Sequence, residues 1–559
     1  MGDKPTPNYG RSDEWLLPYN DFLAQVMTSP KESVSDDSRL GENAALIDDS
    51  TLERLGRERP AFFTGAFPEI GFCFSIVMSQ ILAEYYISGS NVLLPALIRE
   101  LDFPPASAIW PSTSLSLAVT STLLIFGRLT DMFGGYAVYI GGAAWLTISS
   151  ILCGISQSWL MLVVFRALQG LGLAAFLPSG VMILGKTYRP GPRKNFVFSL
   201  YGACAALGFF IGIFFSGLCS QYLTWRWYFF IGAILSAITT LSSIFFVPRD
   251  YAETRKQGAQ MDWAGCVISV SGTVLFVFAI AYSSYAPDKW RTPYIPVCLI
   301  LGALLIGAMV YVEGWVAKNP LLPGDIFAVK YMKPLAIALL FLYGSLGVFF
   351  LYAVLYMSEF MGATPLQIVA WSVPMALGGL ILCCIGGLIF HRVSGTVCLI
   401  ISCLGYIGSA LFFALAPQGA NYWAFVFPAM ICGTIGIDIS FNLANIFITT
   451  NMPKAKQGLA GALINCTLHL GIAVMLGFAD IVHIETVEYA GMRGSYKAVF
   501  WFEVGLAAVG LLVVLLFVRV KEAKSELTVD EREALAREAT LQPAQRGVRL
   551  APQAFALHP

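Results

Sequence analysis

The chain has 559 residues, of which 57% are hydrophobic and 13% are charged, and its mean hydropathy is +0.69. Soluble domains carry about 25% charged residues, so this composition excludes an ordinary soluble protein and indicates an integral membrane protein. The formal net charge is zero, so bulk charge offers no argument for nucleic-acid binding.

Both ends of the chain are polar. Residues 1–66 have an acidic excess and a Ser/Asp cluster from Ser33 to Ser38, which predicts a disordered cytosolic tail. Residues 521–559 are charged and helix-forming, and they predict a second cytosolic tail. The membrane-embedded part is expected between the two tails.

Apolar stretches divide residues 67–520 into about fourteen transmembrane helices, because one crossing needs roughly 20 apolar residues. The short loops on the N-terminal side hold roughly fourteen Lys and Arg residues, against roughly six on the opposite side. The positive-inside rule therefore predicts that both termini are cytosolic. The predicted spans lie near 67–88, 108–126, 136–156, 159–183, 196–218, 227–247, 262–283, 293–315, 333–357, 366–390, 395–415, 421–447, 457–481 and 498–519.

The first span carries a polar stripe. Residues spaced by four, four and three positions share one face of a helix, and a polar face on an apolar helix is expected to line a cavity. Glu84 is the candidate for proton coupling, because burial raises the proton affinity of a carboxylate; a structural, hydrogen-bonded Glu is the alternative. The stripe consists of Gln80, Glu84, Ser88 and Asn91.

A short turn motif follows the second span. Gly127 and Gly134 are expected to allow a tight turn, and Asp131 between them can accept hydrogen bonds from helix N-terminal amides. Such a contact would latch the cytosolic face in one state of a transport cycle. The alternative is that Asp131 only solubilises a loop.

A weaker copy of this motif, from Gly387 to Arg392, follows the tenth span. If the seventh and eighth spans are inserted, the two turns occupy matching positions in two six-helix halves, as in transporters built from repeats. The predicted units are an N-terminal half at 67–250, an inserted helix pair and linker at 251–330, and a C-terminal half at 331–520.

The fourth span contains an arginine in an apolar run. A charged group at membrane depth is costly and usually faces a protein-lined pathway. Arg166 is therefore a proton-coupling candidate that would tune the proton affinity of a carboxylate, and Gln169 is a substrate-cavity candidate. A packing cation that binds backbone carbonyls is the alternative. In the fifth span, the spacing of Gly208 and Gly212 permits close helix packing.

The later spans supply further cavity candidates. Asp438 in the twelfth span is a second proton-coupling candidate, and the others are Tyr352 and Tyr356 in the ninth span, Asn442 and Asn445 in the twelfth and His469 in the thirteenth. For His469 a neutral, hydrogen-bonded core histidine is favoured over a proton relay. Interfacial aromatic belts explain tyrosines in spans equally well.

Taken together, these residues resemble the fourteen-span drug:proton antiporter branch of the major facilitator superfamily, and in particular its fungal multidrug and toxin efflux pumps. The resemblance covers roughly residues 67–520. It is carried by the turn motif of Gly127, Asp131 and Gly134, by Arg166, Gln169, Gly170 and Gly172, by Trp225-Arg226-Trp227, and by Met261-Asp262-Trp263-Ala264-Gly265.

The chain departs from the family pattern at three places. Basic residues of the turn motif are replaced by Met132, Gly135 and Tyr136, the Gly-Pro of the fifth span is Gly208-Phe209, and an aspartate often found in the first span falls on Tyr86. The missing proline weakens the argument for export over import.

The resemblance implies an all-α fold of two six-helix halves plus two inserted helices, in which spans one, four, nine and twelve line a central cavity. Three of these spans carry Glu84, Arg166 and Asp438. The implied function is proton-coupled efflux of small amphipathic compounds by a monomer in the plasma membrane. A nutrient or organic-ion importer and a non-transporting sensor remain alternatives.

No Walker sequence, catalytic triad or zinc-ligand cluster is present in the sequence. We therefore expect neither an enzyme nor a bound cofactor or metal. The expected partners are a small-molecule substrate, protons and the lipid bilayer, without nucleic acid.

Overall fold

A computed structural model describes residues 57–60, 62–103, 109–188, 192–249, 261–317, 320–321, 324–389, 393–451 and 454–520. Most of the two predicted tails and Arg392 lie outside these residues. Within the described ranges the regular structure is entirely helical, which confirms the predicted all-α membrane fold.

Six helices form the first group. They pack mainly as α1 with α5 and α6, and as α4 with α2 and α3. Their bounds are α1 Ala66–Glu100, α2 Trp110–Phe133, α3 Gly135–Gly154, α4 Trp159–Thr187, α5 Pro192–Tyr222 and α6 Trp225–Phe246.

A pair of helices follows and packs side by side. They are α7, Trp263–Tyr282, and α8, Tyr294–Tyr311, which a π-helical turn extends over Val312–Val316. Most of α8 is exposed and apolar, for example at Leu304, so this helix is available to lipid.

The last group contains α9 Met332–Glu359, α10 Pro365–Ile389, α11 Gly395–Leu415, α12 Phe427–Asn451 and α13 Lys454–Phe517. The backbone of α13 leaves helical geometry at Gly491, where φ is 68°. At 1.5 Å per residue each limb of α13, 454–490 and 492–517, is long enough for one crossing. The described helices therefore provide the fourteen predicted crossings.

Local sequence explains several helix ends. The Ser158 side chain caps α4 by accepting a hydrogen bond from the Met161 amide, and Asp262 caps α7 by accepting one from Gly265, as short polar N-cap residues do. Gly134, with φ at 92°, separates α2 from α3. By contrast α1 continues twelve residues beyond its predicted end, through Pro95, because buried membrane helices tolerate proline.

The two six-helix groups meet along two seams, α5 against α10 and α2 against α13. The helix pair covers the second seam through α7, where the rings of Trp110 and Phe278 lie 6.0 Å apart. Below, the face of the bundle where α1 begins is called the N face, and the face where α1 ends is called the opposite face.

Candidate functional site

The polar stripe of α1 lies inside the bundle. Gln80 Nε2 donates a hydrogen bond of 3.4 Å to Glu84 Oε1, and Asn91 Oδ1 accepts one of 2.6 Å from Ser112. Gln80 and Asn91 are buried, whereas Glu84 is partly accessible although it occupies the middle of a bundle helix. Glu84 therefore faces space between helices.

Asp438 on α12 faces the seam between the two groups. Its Oδ2 accepts a hydrogen bond of 2.7 Å from Thr434. A methyl group added at Gly379 on α10 would lie 2.9 Å from this oxygen and 2.8 Å from Ala206 Cβ on α5. The carboxylate thus lies where α5 of one group meets α10 and α12 of the other.

Glu84 on α1 and Asp438 on α12 lie within electrostatic range of each other. Within the described ranges neither carboxylate forms an ion pair with a lysine or arginine. Two acids that share a low-dielectric site repel each other, and uptake of a proton by one of them relieves the repulsion. Uptake or release of a proton by this pair would therefore change the repulsion at the seam between the two helix groups.

Arg166 is 1% exposed and binds three neutral oxygens. Its guanidinium donates to Pro111 O at 3.0 Å, to Tyr86 O at 3.0 Å and to Gln169 Oε1 at 2.7 Å. Gln169 donates onward to Ser150 Oγ at 2.8 Å, and Ser150 donates to the Tyr86 hydroxyl at 2.7 Å. Tyr86, at the family's aspartate position, thus takes part in this network with its carbonyl and its hydroxyl.

A cavity of about 40 Å³ lies between the groups beside Arg166. A buried water needs about 10–15 Å³ of such space, so a few waters fit and an organic substrate does not. The described helices of the two groups pack closely around this cavity. The polar part of its wall comes from the first group, with Asn91, Ser112 and Arg166, and the second group contributes apolar side chains such as Leu346, Phe350 and Leu476.

The comparison with known proteins identifies the family. The model of the Major Facilitator Superfamily matches residues 74–476, which is most of the chain. The chain belongs to the Major Facilitator Superfamily. It is similar to the efflux pump terJ of Aspergillus terreus, with 31% identity over 89% of this chain and 97% of that protein.

The chain is also similar to a second transporter in sequence and to a solved transporter structure in fold. It is 31% identical to the low affinity ammonium transporter of Saccharomyces cerevisiae over 76% of this chain and 83% of that protein. The crystal structure of peptide transporter POT in complex with sulfate aligns with a TM-score of 0.58, at 17% identity, over 83% of this chain and 96% of that chain. The structural similarity concerns the fold alone.

In this facilitator fold the turn motif is divided between a helix and its end. Gly127 and Asp131 lie within α2, so only Gly134 forms the tight turn, contrary to the expectation for Gly127. Asp131 Oδ2 is 4.0 Å from Arg128 Nη1. Arg392, the counterpart in the second half, is outside the described residues, and the latch function remains a prediction.

Several predicted cavity residues point elsewhere. Ser88 donates a hydrogen bond of 2.7 Å to Phe209 O and so joins α1 to α5. Tyr352 and Tyr356 are buried inside the second group, where their rings contact Tyr496. His469 is 1% exposed, and its Nδ1 has no partner among the described residues.

Both asparagines of α12 donate a hydrogen bond to a carbonyl oxygen of their own helix, and Asn442 also lies close to α5. Asn442 Nδ2 donates to Asp438 O at 2.8 Å, and its Oδ1 would lie 3.4 Å from a methyl group added at Gly202 on α5. Asn442 therefore extends the seam that Asp438 begins. Asn445 Nδ2 donates to Phe441 O at 2.9 Å within its own helix.

Phe209 occupies the place of the family's missing proline and contacts the other helix group. Its ring centroid lies 4.7 Å from that of Phe350 on α9, and both residues line the cavity. The residue that departs from the antiporter pattern thus contributes to closure of the cavity.

Gly208 and Gly212 allow α5 to touch α1. A Cβ at Gly208 would lie 2.6 Å from the Ile81 carbonyl oxygen, and one at Gly212 would lie 2.6 Å from the Tyr85 carbonyl oxygen. Backbone atoms of a packed helix cannot yield as a flexible side chain can, so both positions require glycine.

We expect Gly212→Val to destabilise the protein by about 1–3 kcal/mol or more, the usual cost of overpacking, and to lower its melting temperature in detergent. Gly141→Ala is the matched control, because a Cβ there meets nothing within 4 Å. Equal melting temperatures for the two variants would contradict the close packing of α1 and α5.

Sequence reasoning missed four buried acidic residues among those that the structure describes, namely Glu69, Glu313, Asp480 and Glu503. Asp480 and Glu503 are 4% and 0% exposed on the two limbs of α13. Glu69, at the start of α1, binds Arg193 at 2.6 Å and Arg59 at 2.9 Å. For Asp480 and Glu503, the sequence signal was a single acidic residue within an apolar run.

Proposed function

We propose that this facilitator protein exports small amphipathic organic compounds in exchange for protons. Its two six-helix halves would alternate in opening the central cavity to the two sides of the membrane. The observation that carries the proposal is the pair of Glu84 and Asp438, which come from different halves and lie within electrostatic range of each other, without a cationic partner among the described residues.

Proton uptake would couple to conformation because it removes the repulsion between the two carboxylates. Protonation then favours contact of the halves at this seam, and release of the proton favours their separation. A ligand or ion can shift a conformational equilibrium only through such a difference between states.

The cavity wall and one relative support the proposed substrate class. The cavity wall combines an arginine and polar side chains with aliphatic and aromatic ones, which suits a compound with a polar and an apolar part. The similarity to an efflux pump of Aspergillus terreus supports export. We further propose that the N face is cytosolic and that the protein resides in the plasma membrane.

A second candidate is import of a small cation or other nutrient. The similarity to a low affinity ammonium transporter of Saccharomyces cerevisiae favours it, and the cavity beside Arg166 has room for a solute of water size.

Flux in oriented membrane vesicles decides between the two candidates. With an acidic exterior, right-side-out vesicles containing the protein should lose a loaded amphipathic dye faster than vesicles with Glu84→Gln protein. Uptake of methylammonium without dye loss would instead establish the importer. Saturable dye binding without any flux would reject transport and favour a sensor.

A further inference from the structure

Asp480 lies directly beyond the central cavity, toward the opposite face. On the first limb of α13 it follows Ile472 and Leu476 at intervals of four residues, and both of these line the cavity. Residues at this spacing share one helix face. Asp480 is 4% exposed, and its Oδ2 has no hydrogen-bond partner among the described residues.

Two tyrosines from different elements lie beside this carboxylate. The Tyr352 hydroxyl on α9 donates to Asp480 Oδ1 at 3.5 Å. Tyr285, just after α7, lies close enough to interact with the carboxylate electrostatically. The inserted helix pair therefore contributes a group to a site in the second six-helix half.

Polar groups continue from Asp480 toward the opposite face. The His483 ring lies 5.8 Å from the Tyr352 ring and 5.0 Å from the Tyr496 ring. His483 Nδ1 shares a hydrogen bond of 2.9 Å with Ser495 Oγ. The Tyr496 hydroxyl donates at 3.0 Å to Glu359, which is exposed.

Within the described part of the chain, no lysine or arginine neutralises Asp480. The nearby charged pair consists of Lys289 and Glu485, 2.8 Å apart and both exposed. The hydrogen bond from Lys289 to Glu485 raises the pKa of Lys289, so this lysine stays engaged with a surface carboxylate. A buried carboxylate without a cation is costly unless it binds a proton.

We propose that Asp480 is a second proton-binding site, loaded from the opposite face through Glu359, Tyr496, His483 and Tyr352. A proton from bulk water would convert the Asp480 carboxylate to a carboxylic acid, and its release would restore the carboxylate, so charge balances through the proton alone. The role of this site in transport rests on the proposed proton coupling, whereas proton binding itself does not.

The arrangement gives the inserted helices a specific role. Because Tyr285 follows α7 directly, movement of the inserted pair would change the hydrogen bonding of Asp480 and hence its affinity for a proton. The inserted pair would then influence whether Asp480 is protonated, in addition to covering the seam between α2 and α13.

Infrared spectroscopy of the purified full-length protein tests the proposal without a known substrate. A protonated carboxyl group has a carbonyl stretching band that a carboxylate lacks. We expect Asp480→Asn to remove one such band at neutral pH and Tyr352→Phe and Tyr285→Phe to shift that band. Glu485→Gln is the matched control, since it removes an exposed carboxylate five residues away and should leave the band unchanged.

Should Asp480→Asn fail to fold, the two tyrosine variants still report on the carboxyl group. The absence of any band change in the foldable variants would overturn the proposal. Loss of the band in Asp480→Asn protein, in a system where proton gradients drive no flux even in the wild type, would support the proton site and reject the proposed coupled transport. The proposed proton site at Asp480 and the proposed coupled transport can therefore be rejected independently of each other.

Discussion

Glu84→Gln and Asp438→Asn should each reduce proton-driven transport to background while the protein still folds. Each substitution keeps the size and a hydrogen-bonding capacity of the side chain but removes the exchangeable proton. With one member of the pair neutral at every pH, the repulsion between Glu84 and Asp438 is absent, so a proton gradient cannot bias the opening of the halves through it. The measurement is dye or substrate flux in proteoliposomes under an imposed pH gradient.

Exchange of substrate for substrate offers an internal control for this prediction. That exchange needs the conformational cycle but no net proton movement, so both variants should retain it. Glu485→Gln, at an exposed carboxylate, should keep normal coupled flux. If both Glu84→Gln and Asp438→Asn protein show normal proton-driven flux, the assignment of this pair as the coupling site is wrong.

The fold and one part of the site could be predicted from hydropathy and isolated charges. Apolar runs of membrane-spanning length predicted the crossings. Isolated acids within apolar runs pointed to Glu84 and Asp438 as candidates, and these two residues lie within electrostatic range of each other. Embedded charge is informative because its cost restricts it to protein-lined positions.

The direction of uncharged polar side chains was less predictable. Ser88 shares the polar stripe of α1 with Glu84 but hydrogen-bonds to α5, and Tyr352 turns to Asp480 instead of the cavity. A helix inside a bundle contacts several neighbours, so helical spacing identifies a shared face without identifying what that face touches. Asp480 lies at the predicted end of its span, where a charged residue is common because the membrane surface is near. In the structure the helix continues to Gly491.

Arg166→Leu should destabilise the protein more than either carboxylate substitution does. The guanidinium joins α1, α2 and α4 through Tyr86 O, Pro111 O and Gln169 Oε1. A hydrogen bond to a charged group contributes about 1.5–3 kcal/mol, so loss of the three bonds should cost at least about 2 kcal/mol. Arg166→Lys should be intermediate, because a lysine lacks the planar fork that reaches several acceptors.

Thermal unfolding in detergent, measured beside proton-driven flux, separates the two roles open to Arg166. Arg226 is the matched comparison, since it also binds two backbone carbonyls, of Gly154 and Ser156, but is only partly buried. Water can replace its bonds, so Arg226→Leu should lower the melting temperature less than Arg166→Leu. If Arg166→Lys protein melts like the wild type yet loses only proton-driven flux, Arg166 acts with Glu84 and Asp438 in coupling, and its role as a helix clamp is secondary.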